Sequence, residues 1–342
     1  MKCSVVILNW NGVSMLRQYL PSVVRWSSLP GCEVVVADNG SSDDSLAFLA
    51  GYPDVRIVSF PANYGFAEGY NRALAHTDAE YTVLLNSDVE VTEGWLCPLL
   101  DYMDNHPEVA ACQPKILSFL SKREYDKGIV SSVAFEHAGA AGGYMDILGY
   151  PYCRGRILGY VENDHGQYDD IAPVFWASGA CLCIRTDVYK REGGLDARFF
   201  AHMEEIDLCW RLQCRGYRIV CVPSSTVYHL GGGSLNYENP RKTYLNFRNN
   251  LLMLYKNMPA GKLWWVWILR FMMDYAASLQ FLFAGKLSNF RAVIRARFDF
   301  WRQHRLYRAD RLANLRKAVV PLPDSVARRS VVFDYYIRGK RQ

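Results

Sequence analysis

The apolar run YTVLLNSDVE, from Tyr81 to Glu90, breaks off in three polar side chains, Asn86, Asp88 and Glu90. Carboxylates at this spacing suit a divalent cation such as Mg2+ or Mn2+, because hard cations take oxygen ligands. Alternation along an extended segment turns Asn86, Asp88 and Glu90 to one side, with Ser87 and Val89 on the other. The plain alternative is a turn, which Asn, Ser and Asp also favour through local hydrogen bonds. A second acidic group, Glu204, Glu205 and Asp207 in MEEIDLCWR, opens a predicted helix. A carboxylate there can take a proton from an attacking hydroxyl, or simply stabilise a helix N-terminus. Asp207 and Arg211 also have the spacing of a helical ion pair.

Short strands alternating with helices must position these groups. Strands are expected at 4–10, 32–39, 55–60 and 81–88, and helices at 13–26 (interrupted by Pro21), 43–50 (capped by Ser41 or Ser42), 66–77 and 94–106. This order predicts an α/β fold with a mostly parallel sheet. Ligands of open α/β sheets bind outside the carboxyl ends of strands, so Asn9, Asp38, Asn63 and Asp88 at successive strand ends make a pocket. Residues 115–175 read as loops and short strands over the crevice. Strands at 178–185, 218–223 and 226–230 and a helix at 205–216 follow, with no internal repeat. The chain has neither GxGxxG after its first strand nor GxxxxGK[ST], which counts against a dinucleotide fingerprint and a P-loop.

Half of the 342 residues are apolar and 21% are charged, so a folded chain with a large core is expected. The net charge of +5 hides an asymmetry: residues 1–240 hold 18 Lys and Arg against 29 Asp and Glu (−11), and residues 241–342 hold 21 against 5 (+16). The ten cysteines lie without CxxC pairs or metal-spaced His, which predicts a reduced, cytosolic chain. The start, MKCSVVILNWNG, has too short an apolar run for a signal peptide, so folding is expected to begin with the first strand.

Eight segments, VVILNWNG, VVVADNGSSDDS, NYGFAEGYNRAL, LLNSDVEV, WASGACLCIR, GGLDARFFAHMEEIDLCWRL, GYRIVCVP and VYHLGGGS, occur in the order shown by bacterial family 2 glycosyltransferases, and the chain resembles that family over about residues 3–235, in rhamnosyltransferase-like form. The resemblance implies a GT-A nucleotide-sugar fold, Rossmann-like, with helices flanking the sheet. It places the family's Asp-x-Asp metal motif at Asn86-Ser87-Asp88, so that Asp88 is the firm ligand and Asn86 a hydrogen-bonding group near ribose or phosphate. Glu90 is a second possible ligand, and His229 from a later strand would complete the site. Asp38 would accept the imide N–H of uracil or thymine, and Asn63, Gly65 and Asn71 would line the ribose and diphosphate. Glu205 stands where the family usually has the Asp of its Glu-Asp pair and becomes the expected base, with Glu204 the runner-up. Trp176, Ser178 and Gly179 would border the acceptor.

Residues 241–342 lie beyond the matched core, giving two expected units, a catalytic 1–240 and a basic, aromatic-rich helical 241–342. The stretch 262–286 is apolar, but Arg270 and Asp274 interrupt it, whereas spans usually need ~20 nearly uncharged residues. An interfacial helix with its apolar side among lipid headgroups is expected, and the basic run 291–308 would meet anionic lipid. The alternative is a helical subdomain packed on the core. Nucleic acid is not an expected partner, since no recognition motif accompanies the cations.

Together these features predict a metal-dependent inverting glycosyltransferase, peripheral on the inner face of the cell membrane. It would move a sugar from a UDP- or dTDP-sugar to a glycan precursor, with a lipid-linked acceptor expected. The rivals are a nucleotidyltransferase, which would release pyrophosphate, and a non-catalytic nucleotide-sugar-binding scaffold, suggested by the Asn86 and Glu205 departures.

Overall fold

The computed structural model describes residues 1–231 and 239–340; the end of the VYHLGGGS segment, from 232 on, lies outside them. Strands β1 (Cys3–Asn9), β2 (Cys32–Asp38), β3 (Val55–Ser59) and β4 (Tyr81–Asn86) are parallel and lie side by side in the order β3-β2-β1-β4. Helices α1 (Val13–Ser27), α2 (Ser45–Leu49) and α3 (Gly65–Ala75) connect them. β1, β2 and β4 are nearly continuous apolar runs, as befits strands covered on both faces. The register sets Asn9 beside Asp38, and Leu8 beside Asn86, at the carboxyl edge.

After β4 the chain turns at Ser87–Asp88 into β5 (Val89–Val91), then runs through α4 (Leu96–Asn105), β6 (Val109–Ser118) and α5 (Phe119–Asp126). A small sheet follows, built from β7 (Gly143–Asp146), β8 (Pro151–Cys153), β9 (Arg156–Ile157) and β10 (Tyr160–Val161), and closed much later by β14 (Val326–Ala327). The main sheet resumes with β11 (Ala172–Pro173) and β12 (Cys181–Arg185); α6 (Thr186–Arg191), α7 (Glu204–Cys214) and β13 (Arg218–His229) complete it. Beyond β4 the order is β12-β6-β13-β11, with β5 also on β13, and β12 is antiparallel to both its neighbours. The result is a nine-stranded, mostly parallel sheet between helices, the predicted GT-A-like class.

Several local expectations need correction. Pro21 does not interrupt α1, because the stripe Leu16, Tyr19, Leu20 and Val23 is buried along its length and packing outweighs one lost backbone bond. Asp43, rather than Ser41 or Ser42, organises the turn into α2, accepting from the Val13 and Ser45 amides, while both serines bind Asn11. Residues 218–229 form one strand with a register shift between Val222 and Thr226 instead of two strands. Residues 115–175 contain a full helix, α5, and most of a second sheet.

The C-terminal part is helical: α8 (Pro240–Asn257), α9 (Ala260–Phe283), α10 (Leu287–Gln303), α11 (Arg308–Lys317) and α12 (Val331–Tyr336). Leu251, Leu252, Met253 and Leu254 of α8 and Phe300 of α10 share one apolar core with Val6, Leu84 and Trp210 of the sheet domain. Among the described residues no helix is long and apolar enough to cross a membrane. Arg270 and Asp274, which interrupt the apolar stretch of α9, are buried against the protein and pair with each other at 3.2 Å; Arg297 of α10 also binds Asp274 at 2.5 Å. Part of the basic run therefore faces a carboxylate inside the molecule.

Candidate active site

At the carboxyl edge, His229 at the end of β13 meets Asp88 in the turn after β4, with Nε2 3.1 Å from Oδ1. Asn86 places its side-chain amide 3.5 Å from the same nitrogen. Behind the ring, Glu136 is buried with Oε2 3.5 Å from His229 Nδ1, and it also accepts the Ala138 amide. Burial alone would hold the imidazole low, but Asp88 and Glu136 outweigh it and push it up to about 10. Glu136 lies in an irregular stretch with no sequence signal, and only the pairing of 134–136 beside β6 brings it to His229.

The turn at Ser87–Asp88 ends the simple alternation expected for 86–90. Glu90 stands opposite Tyr228 on β13, one residue out of step with His229, so its side chain leaves on the other side of the ribbon. Its charge is felt by Lys122 and Tyr228. Among the described residues no group of three or more His, Cys, Asp or Glu side chains is arranged to hold a metal ion. Asp88 and His229 are two facing donors, which fits a Mg2+ or Mn2+ ion that takes its other ligands from phosphates and water rather than from a protein cage.

Next along the edge, the Asn9 amide donates to Asp38 at 3.0 Å and to Ser41 at 3.2 Å, and the Ser41 backbone N–H donates to the other Asp38 oxygen at 3.0 Å. Asn9 Oδ1 is buried without a partner. A Cβ on Gly12 would come within 2.5 Å of that oxygen, so this position takes glycine. Asn63 accepts the Gly65 N–H at 2.8 Å and the Asn39 amide at 3.1 Å, building the loop into α3. Gly65, at φ +80°, gives room to the Phe200 ring rather than to open space, since a Cβ would lie 2.9 Å from it. Asn71 is turned away from the edge: its amide is committed to both backbone groups of Leu195 and to the Tyr189 hydroxyl.

The segment leading into α7 is strained. Phe200, His202 and Met203 all have positive φ, at 66°, 70° and 74°, and such residues persist only where their surroundings hold them. Asn249 of α8 supplies the hold, sharing its amide hydrogens among the carbonyls of Phe199 (3.0 Å), Ala201 (2.8 Å) and His202 (2.8 Å). Directly after the strain come Glu204 and Glu205, each with one buried oxygen lacking a hydrogen-bond partner. Burial pushes Glu205 up to about 7; burial, then the charges of Glu205 and Asp207, raises Glu204 further. Asp207 differs, being fully buried and bound to Arg211 at 3.0 Å, Lys256 at 2.9 Å and Asn257 at 2.8 Å. Against the expectation of a catalytic part, it ties α7 to α8.

The two acidic centres are linked by the start of β12. Ala180 accepts the Asn86 backbone N–H at 3.0 Å, and Gly179 beside it lies against Phe66 and Glu205, where a Cβ would stand 3.9 Å from the Glu205 Cβ. Ser178 is buried, donating to the Ala138 carbonyl at 2.6 Å and accepting the Ala180 amide. Trp176 is buried too, its indole N–H on the Tyr144 carbonyl at 3.0 Å. Both are committed to backbone partners behind the site, and Gly179 leaves space beside Glu205. A second link is Lys242 of α8, whose charge acts on Glu136, His137 and His202.

Residues 4–157 match the family model described as Glycosyl transferase family 2. An N-acetylglucosaminyl-diphospho-decaprenol L-rhamnosyltransferase of Mycobacterium tuberculosis is 30% identical over 237 residues, covering 66% of this chain and 75% of that protein. Among solved structures, S. aureus TarS 1-349 in complex with UDP-GlcNAc superposes with a TM-score of 0.57 at 15% identity, over 92% of this chain and 90% of that one. A mannosyltransferase from Pyrobaculum calidifontis, in complex with GDP-Man and Mn2+, gives 0.52 at 14% identity, over 93% and 86%.

Proposed function

We propose, from the premise that this chain belongs to glycosyl transferase family 2, that it is an inverting transferase moving a sugar from a UDP- or dTDP-linked donor to a lipid-linked glycan precursor, with Glu205 as the base. The observations that carry this are the facing Asp88–His229 couple at the sheet edge and, linked to it through Asn86, Ala180 and Gly179, the Glu205 carboxylate held near neutrality with one oxygen unpartnered. The name of the mycobacterial relative supports a lipid-diphosphate acceptor, and the Mn2+ of the Pyrobaculum complex supports a divalent ion.

In this account Asp38 and Asn9 receive the nucleobase, the orphaned Asn9 oxygen awaiting an N–H or hydroxyl donor. Asn86 bonds the ribose or a phosphate. A divalent cation held by Asp88 and His229 would neutralise charge growing on the departing diphosphate. Glu205 takes the acceptor hydroxyl's proton as that oxygen bonds to the anomeric carbon and the bond to the diphosphate breaks from the opposite face. A carboxylate near neutrality suits the task, since a base works best with its pKa close to the working pH. Glu204, buried beside it, keeps its own proton through burial and the neighbouring charge of Glu205.

The exposed face of α9 supports a place on the membrane surface. The helix buries Arg270 and Asp274 while Trp264 is 63% and Phe283 86% exposed, with Ile268, Phe271 and Met272 between them. Apolar patches of this kind mark interaction surfaces, and exposed arginines such as Arg295 on the following helix, α10, supply charge for anionic headgroups. We place this face on the cytoplasmic leaflet.

Screening UDP- and dTDP-sugars for thermal stabilisation with and without Mn2+ tests the donor half, because a ligand stabilises the native state by the logarithm of its saturation. Stabilisation by one such donor, enhanced by metal, is expected. Indifference to every nucleotide sugar would remove the proposal.

A further inference from the structure

We propose that the cavity between α8, α9 and α12 holds the hydrocarbon chain of the acceptor lipid, with the lipid phosphate near Lys242 and its sugar presented to Glu205. This rests on the lipid-linked acceptor proposed above and adds a binding site for the lipid part.

The cavity has a volume of about 540 Å³. An engineered apolar cavity of roughly 150 Å³ takes a benzene ring, so by proportion this one accommodates on the order of twenty carbons. Its walls include Met203, the strained residue directly before Glu204, with Phe247, Met273, Ala277, Phe281 and Val332. Asn250 and Arg270, two of the polar residues in the wall, are engaged elsewhere. Asn250 donates to the Gly149 carbonyl at 2.8 Å and accepts from Arg270, whose guanidinium also reaches the Leu148 carbonyl and Asp274 and lies 4.0 Å from the centre of the Tyr150 ring. A cavity walled mainly by apolar side chains favours an apolar guest.

Two further features select a lipid with an anionic head. Lys242, Asn246 and Asn250 recur every fourth residue, so they share one face of α8, with the cation at the end nearest Glu136 and His202. Between Lys242 and Asn250 the helix rises about 12 Å, so a phosphate at the first and a chain beyond it follow the cavity wall. The cavity borders the exposed apolar face of α9, where Leu279, Leu282 and Phe283 are interleaved with the lining residues Ala277, Gln280 and Phe281. A chain drawn from a bilayer under that face would enter without crossing water.

The test is binding of geranylgeranyl diphosphate and of inorganic diphosphate to the full chain, alongside the variant Ala277→Trp, which fills the cavity. Wild type should bind the prenyl compound at least tenfold tighter, and Ala277→Trp should reduce that preference to within about twofold while Mn2+-dependent UDP or dTDP binding persists. Equal binding of the two diphosphates by wild type, or an undiminished preference in Ala277→Trp, overturns the inference. Competition by dioleoyl phosphatidylglycerol as strong as by the prenyl compound assigns the cavity to bulk lipid and also overturns it. Should Ala277→Trp lose its cooperative unfolding transition, wild type photolabelled with a benzophenone-bearing prenyl diphosphate decides: adducts within 246–250 or 273–281 support the site, and adducts elsewhere or none refute it. Nucleotide binding retained alongside a missing prenyl preference sinks this inference alone, whereas missing nucleotide binding sinks the transferase proposal.

Discussion

Glu205 is the residue on which chemistry and stability pull in opposite directions. Its carboxyl is pushed from 4.5 up to about 7 by burial, and the base must be ionised, so kcat/KM measured across pH should climb and level off above about 7. The folded chain holds a proton that the unfolded chain releases near 4.5, so this group makes the native state lose stability as pH rises from 4.5 to about 7. Glu205→Gln should therefore unfold at higher temperature at pH 8, by an equivalent of about 1–3 kcal/mol; an unchanged or lower transition would place the carboxylate in a solvated setting. Glu136 tests a different point. Partners that orient a metal-binding His typically matter by about 10–100-fold in affinity, so Glu136→Gln should weaken Mn2+-dependent donor binding by that order, read by titration calorimetry. Asp88 was legible because it follows an apolar strand directly, and His229 through the family resemblance alone. Glu136 was not, since an irregular, glycine-rich neighbourhood carries no period from which a partner is inferred. Asp207 misled because its acidic neighbours suggested chemistry, and only the packing of Lys256 and Asn257 from a distant helix shows its oxygens to be taken.

At the scale of elements, the site depends on α8 as much as on the sheet edge. Asn249 holds three carbonyls of a segment in which three non-glycine residues carry positive φ, each such residue costing about 1–3 kcal/mol. Removing that amide lets the segment relax and moves Glu205 away from its working position. Small misplacements cost as much as about a hundredfold in rate, so Asn249→Ala should lower kcat by at least about tenfold while KM for donor changes little. Steady-state kinetics separate the two, and a KM effect alone would mean that α8 serves donor binding. The parallel strands, α3 and α7 were legible from short apolar strands alternating with helical segments. The small sheet was not, because strands of two to four residues are too short to show alternation. β13 read as two strands because Pro223, Ser224 and Ser225 look like a break, whereas the structure absorbs them in a register shift.

Over the whole molecule, the acidic first part and basic last part of the chain attract each other directly. Lys256 binds Asp196 and Asp207 and so ties the basic last part to the acidic first part, Arg198 binds Asp310 in the opposite sense, and Arg270, Arg297 and Arg338 pair with acids of their own part. The pair Trp264→Glu and Phe271→Glu should reduce flotation with phosphatidylglycerol liposomes several-fold while leaving metal-dependent nucleotide binding intact; equal floating fractions would show that the apolar face of α9 meets something other than lipid. The central claim joins both regions in one act, a base on α7 deprotonating an acceptor beside a metal-held diphosphate. Transfer of radiolabelled sugar from a UDP- or dTDP-sugar into extracted membrane lipid, comparing wild type with Glu205→Gln, tests it most directly. The variant should bind the donor with Mn2+ as wild type does yet transfer about 10²–10⁴-fold more slowly. Transfer at the wild-type rate would contradict the account.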